Sequence, residues 1–285
     1  MNSKFSASMF DSLKTAMSEQ RSGGSFKDIM KTSIGNNYII RLIPNVKNIA
    51  DTTYHYYSHG WQSLATGQFI SCVCPITTGQ RCPICEERIR LYRGDDDDKK
   101  NAKLLGRKEQ WLVNVFVVDD PSTKENTNTV KILRYGKQLD KVIKDATEGI
   151  DKDEFGVRIF DLSESGCNLR ITVEKNDGGY PSYTSSKFLR ESKLASLDDA
   201  KLEAVYDGLF DLTKVFEQKS AEEVRDMLNT HYFCQVTSNA SNESRTAELD
   251  EEKDVTDTQI DEVTDTVIDN DLDAQQKLDD LMKDL

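Results

Sequence analysis

Four cysteines fall within fourteen positions, Cys72, Cys74, Cys82 and Cys85, in the stretch CVCPITTGQRCPIC. His59, in SHGW, stands upstream with twelve residues between it and Cys72. The pair in CPIC has the spacing of a tight turn that presents two thiolates to one metal ion. With Cys72 and His59 it gives three thiolates and one imidazole, a closed tetrahedral set for structural zinc. The rival set is all thiolate: Cys72, Cys74, Cys82 and Cys85. One residue between Cys72 and Cys74 makes a cramped chelate, so spacing favours the set with His59. The remaining readings are buried thiols without metal and a redox pair; no βαβ pattern surrounds CPIC to support the latter. A closed set leaves no coordination position for zinc catalysis. Its expected role is to fix the polar segment 59–85 and contribute folding free energy there.

A second chemistry lies downstream, where cations neighbour rings in three groups. Arg107, Lys108 and Trp111 form one; Lys131, Arg134, Tyr135 and Lys137 the next; Tyr180, Tyr183, Lys187, Phe188 and Arg190 the third. Cations track phosphates, and rings stack on bases at roughly 1–3 kcal/mol each with little sequence preference. That combination suits a single-stranded nucleic acid. Rings and cations alone do not separate DNA from RNA. His55 and His231 are expected to be ordinary surface or core histidines, and Cys167 and Cys234 small hydrophobes.

These residues need a scaffold, and the text around them is mainly strand-like. NNYIIRLIPN (36–45), QWLVNVFVVDDP (110–121), TVKILRYG (129–136), GVRIFDL (156–162) and CNLRITVEKN (167–176) predict strands. KQLDKVIKDATEG (137–149) and the leucine-spaced stretch 197–229 predict helices. Many short strands with few helices predict a small, partly open β-barrel with helical insertions. No apolar run reaches the roughly 18 residues of a membrane span, and the first twenty residues hold no continuous apolar segment of a secretory signal. The expected compartment is a reducing cytoplasm, where clustered cysteines hold metal more often than they form disulfides.

The net charge of -13 looks wrong for a partner of nucleic acid until it is mapped along the chain. Residues 241–285 hold 16 acidic and 4 basic residues, leaving 34 and 33 in 1–240, so the body is near neutral and the last stretch strongly acidic. Three regions follow: an arm, 1–25, with Phe5, Met9, Leu13 and Met17 at helical spacing; a body, 26–240; and a polar tail, 241–285, expected to be disordered. A tethered polyanion would compete for a cationic groove and recruit protein partners. The alternatives are a zinc-containing nuclease, for which no carboxylate cluster is evident in the strands, and an interaction hub served by the tail.

SHGW…C…CPIC, NVFVVDDP, RYGK, GGYPSYTSSKFL and the closing LDDLMKDL together resemble the single-stranded DNA-binding, helix-destabilising protein family of T-even-like bacteriophages. The resemblance covers most of 30–235 and the extreme terminus. It implies an OB-fold core, a small zinc-bearing subdomain at about 54–105, and DNA held between them. It places the zinc ligands on His59, Cys72, Cys82 and Cys85, leaving Cys74 out. It places base stacking on Trp111, Tyr180 and Tyr183, and backbone contacts on Arg107, Lys108, Arg134 and Lys187. It further implies a non-enzymatic protein that binds cooperatively through its arm, meets phage replication, recombination and repair proteins through its tail, and works in the cytoplasm of the infected host. Two departures stand out. The arm holds single lysines in SKFSAS and LKT where the family has a basic cluster, and GDDDDKK (94–100) sets four aspartates near the groove cations.

Overall fold

A computed structural model describes residues 27–194 and 196–235. The arm and the acidic tail lie outside the described residues.

The longest run of β-branched and aromatic residues becomes the spine of the fold. Strand β4 (Arg107–Asp119) follows strands β1 (Asn37–Leu42), β2 (Thr53–Gln62) and β3 (Phe69–Val73). It precedes β5 (Val130–Tyr135), β6 (Cys167–Thr172) and β9 (Lys187–Glu191). The seven form one antiparallel sheet in the order β3-β2-β4-β1-β6-β9, with β5 also paired to β4. β4 is long enough to carry two partners in succession along one edge. Its residues 107–113 pair with β2 and 115–119 with β1, while 111–116 pair with β5 on the other edge. A separate two-stranded ribbon, β7 (Glu174–Lys175) with β8 (Pro181–Ser182), rises between β6 and β9.

Side chains alternate across a strand, so the two faces of β4 have different fates. Val113, Val115 and Val117 enter the main core with Tyr38, Ile40, Leu133, Leu169 and Ile171. Helix α3 (Lys137–Thr147), which follows α1 (Pro83–Tyr92) and α2 (Asp96–Leu104) along the chain, covers that core with Leu139, Ile143 and Ala146. On the opposite face Leu112 packs with Tyr56, Ile132, Leu212 and Val215. The stretch expected to be helical over 197–229 divides into α4 (Asp199–Asp207), a 3-10 turn (Leu212–Lys214) and α5 (Ala221–His231). Helix α5 starts at a reciprocal capping box between Ser220 and Glu223, the sequence signature of a helix start.

A further cluster joins Trp61, Ile70, Ile84, Leu91 and Leu105 to the buried cysteines and to Val224 and Leu228 of α5. Segment 59–85 is therefore no polar loop awaiting a clip. It holds the end of β2, strand β3, a 3-10 turn (Pro75–Thr78) and the start of α1, with Trp61, Ile70 and Ile84 buried in that cluster. The four aspartates form the start of α2. Asp95 accepts from the amides of Asp97 and Asp98, and the others occupy the first turn, where the helix dipole favours anions. One expected strand is absent: Gly156–Phe160 is a 3-10 turn. Gly156 takes φ +47°, a left-handed geometry strands do not use, and only Ile159 of the turn is buried. No helix among the described residues is long and apolar enough to cross a membrane.

Candidate metal centre and nucleic-acid interface

Two Cys-Pro pairs open two short helices. Cys74 is the N-cap of the 3-10 turn and Cys82 that of α1, each followed by Pro at the first helical position, where its fixed φ suits the helix. Cys85 follows on the first turn of α1. Both segments thereby aim thiols at β2, where His59 points inward with 1 % exposure.

His59, Cys74, Cys82 and Cys85 each offer one ligand atom, and these atoms all lie within 4.8 Å of one another. Cys74 Sγ is 3.7 Å from Cys85 Sγ, and His59 Nε2 is 3.5 Å from Cys82 Sγ and 3.4 Å from Cys85 Sγ. An ion with four tetrahedral bonds, about 2.3 Å to sulfur and about 2.0–2.1 Å to nitrogen, sets sulfurs about 3.8 Å apart and nitrogen about 3.6 Å from sulfur. The residues fit one such ion. The histidine is oriented for it: Nδ1 donates to the carbonyls of Gly106 and Leu105, at 3.1 and 3.3 Å, which directs Nε2 at the thiols.

The group differs at one position from the set that spacing favours. Cys74 closes the group, and Cys72 stands outside it. Cys72 lies on β3 directly across from His59, and its sulfur is not among the mutually close ligand atoms. Burial, then the nearby Cys82, pushes its thiol up to about 12. The repeated Cys-Pro pair was the signal for Cys74.

The four side chains are coupled through their protons. Hydrogen bonds from Cys74 and Cys85 hold Cys82 far below the usual thiol value. The hydrogen bond to Cys82 is the largest cause raising Cys74, to about 12, and hydrogen bonds with Cys74 and Cys82 also raise Cys85. Burial lowers the pKa of His59, but its bonds to Cys82 and Cys85 outweigh that and bring it to about 9. Any divalent ion entering must displace these protons.

The face of β2 that offers His59 to the cysteines continues as a row of rings. Cross-strand pairing sets His55 opposite Trp111, and Trp111 opposite Tyr135. The rings stack in that order, with centroids 4.9 and 5.9 Å apart and interplanar angles of 30° and 15°. Tyr57 meets His55 edge to face at 4.9 Å, and the Arg107 guanidinium lies over the Tyr57 ring at 4.5 Å. The Lys144 amine is 5.6 Å from the centre of Trp111. Glu109 ties the row together: it accepts from His55 Nε2 at 2.8 Å and pairs with Lys137 at 3.4 Å.

The three predicted groups divide on this surface. Arg107, Trp111 and Lys137 join the row. Lys108 and Arg134 fall at alternate positions, opposite Ser58 and Leu112, and so on the reverse face of the strands. Lys131 is held by the Lys27 carbonyl at 3.1 Å and lies 3.9 Å from Asp28. Tyr135 and Phe188 are core residues, 4 % and 6 % exposed, so neither offers a face to a base; Phe188 packs on Phe155. Tyr183 packs against the main core, its amide donating to Gln138 of α3 at 2.7 Å and its hydroxyl bonded to Thr32, while Tyr180 is half-buried in the β7–β8 turn. Lys187 is exposed, opposite Arg170 on β6. Cys167 is core as expected, whereas Cys234 is exposed. Sequence reasoning missed His55 and Tyr57; the alternation in TYHYYSHGWQ was the available signal.

The comparisons with known proteins agree with one another. The family model described as gp32 DNA binding protein like matches residues 33–236. A single-stranded DNA-binding protein of Enterobacteria phage T4 is 28 % identical over 203 residues, 68 % of this chain and 64 % of that protein. Its counterpart in Enterobacteria phage T2 is 28 % identical over 195 residues, 65 % of this chain and 62 % of its own length. The similarity thus spans just under two thirds of each relative.

Proposed function

The chain belongs to the gp32 DNA-binding-protein-like family, and from that premise we propose that it is a sequence-independent, non-enzymatic single-stranded DNA-binding protein. It coats and protects exposed strands in phage DNA replication, recombination and repair, in the cytoplasm of the infected host. The observation that carries the reading is the stacked pair His55–Trp111 with Tyr57, bordered by Arg107, Lys137 and Lys144. Flat side chains beside cations on one strand face are the recurrent means of holding unpaired bases and their phosphates.

In this reading residues 26–240 are an OB-fold core with a metal subdomain at about 54–105, and the ion is one structural zinc. Three sulfurs and one imidazole nitrogen in tetrahedral spacing suit zinc, and the complete donor set leaves no position for a substrate. The ion would brace the β2 end of the ring row. Lys187 and the half-buried Tyr180 and Tyr183 would extend the contact along the strand. The arm, 1–25, would meet the neighbouring protomer through Phe5, Met9, Leu13 and Met17, giving cooperativity. The tail, 241–285, with its net charge of -12, would compete with DNA and engage phage proteins once displaced.

The test is competition between a labelled oligonucleotide and unlabelled single-stranded or duplex DNA of matched length, read by fluorescence anisotropy. The expected result is displacement by single strands at more than tenfold lower concentration. Equal displacement by both would refute the reading.

A further inference from the structure

We infer that His55 is the terminal stacking surface for a nucleobase, a role that rests on the single-strand reading above. Trp111 is the obvious platform, but both its faces are covered. β2 and β5 flank β4 on opposite edges, so His55 and Tyr135 stack on opposite sides of the indole. The Tyr57 ring is capped by Arg107. Tyr135, at the other end of the row, is buried.

His55 differs from all three. Its imidazole lies against Trp111 on one side. On the other side, among the described residues, no strand pairs with β2 over Thr53–Tyr57, because β3 pairs only with Ser58–Gln62. The His55 side chain keeps 41 % of its exposure. Its tilt is fixed by the Nε2 bond to Glu109, whose carboxylate is itself held by Lys137. A preset ring loses little rotamer freedom when a base lands on it, which is the advantage of preorganisation. A base placed there extends the stack by one ring, with Arg107 and Lys137 on the same face for the adjoining phosphates.

Truncating His55 is a poor test, because it uncovers Trp111 and creates a new terminal ring. The wild-type chain serves better, since it contains three histidines. Full-length, zinc-loaded protein with 13C-labelled histidine is titrated with oligothymidylate, while anisotropy of a labelled oligothymidylate follows binding. His59 is recognised by its response to metal, and His55 by its loss in His55→Phe or, independently, by elimination with His231→Gln. The expected result is an upfield movement of the His55 ring signals along the anisotropy isotherm, with His59 and His231 nearly still. Saturated binding with unmoved His55 signals would overturn the inference and leave the single-strand reading intact. Absence of binding by anisotropy would defeat both.

Discussion

His59 and Arg107 stand directly opposite each other on adjacent antiparallel strands. The imidazole joins the cysteine cluster, and the guanidinium covers Tyr57 in the ring row. The link is also chemical, because His59 Nδ1 bonds the carbonyls of Leu105 and Gly106, the two residues that lead into Arg107. The candidate metal centre and the proposed DNA surface therefore share one rung of the sheet. Removing the ion should loosen that backbone and misplace Arg107. Chelation is expected to weaken single-strand binding by about tenfold or more, on the scale of losing outer-shell support in a metal site, and zinc should restore it. Oligonucleotide titration before, during and after chelation checks this.

The cysteine assignment makes its own prediction. Cys74→Ser should abolish tight, one-to-one metal binding, because it removes a donor, and even outer-shell losses cost about 10–100-fold in affinity. Cys72→Ser should keep the ion, since Cys72 lies outside the group. Metal content after dialysis against a weak chelator distinguishes the two. Loss in Cys72→Ser with retention in Cys74→Ser would restore the ligand set favoured by spacing.

Arg41 is buried with 0 % exposure and clamps three segments of the body. It donates to Asn168 Oδ1 at 2.7 Å, to the Asp161 and Ser163 carbonyls, and to the Ser192 carbonyl at 2.8 Å. Gly166 leaves the room it needs: a Cβ there would collide with the Asp161 carbonyl and Arg41 Nη1. Arg41→Met would strand several buried acceptors, each costing about 1–3 kcal/mol. Gly166→Ala would force the clamp apart. Each is expected to destabilise by about 3 kcal/mol or more, at the upper end for overpacking or stranded polar groups, as read from urea unfolding of the metal-loaded protein. Losses within experimental error would show that the clamp is dispensable.

Much of this was legible in the residues, and the misses have physical causes. The strong strands around Ile39, Val115 and Leu169 announced themselves because their apolar residues are paired on both sides or buried in the core. The segment 156–162 misled, since a short apolar run does not reveal that Gly156 turns left-handed. Spacing pointed to three of the four clustered ligands. The group holds Cys74 where spacing favours Cys72, because count along a chain does not say where each sulfur lies in the fold. Tyr135 and Phe188 have the composition of stacking residues, but burial is a tertiary property. His55 was passed over because its partners, Trp111 and Glu109, are remote in sequence.

The acidic tail carries a separate expectation. Deleting residues 241–285 removes a net charge of -12. If the tail competes for the groove, the shortened protein should bind single strands several-fold more tightly at low salt. The gain should shrink as salt screens the competition, with the Debye length falling to about 10 Å at 0.1 M. Affinity unchanged at every salt concentration would leave the tail a recruiting element alone.

The salt dependence of single-strand binding in Arg107→Ala tests the central claim most directly. Log affinity against log salt for a single strand falls with a slope of about -0.7 per phosphate neutralised. If the row beside Arg107 holds the strand, the variant should bind more weakly on every homopolymer, with a slope shallower by about 0.7. Wild-type slope and wild-type affinity in Arg107→Ala would place the DNA elsewhere on the protein and contradict the account.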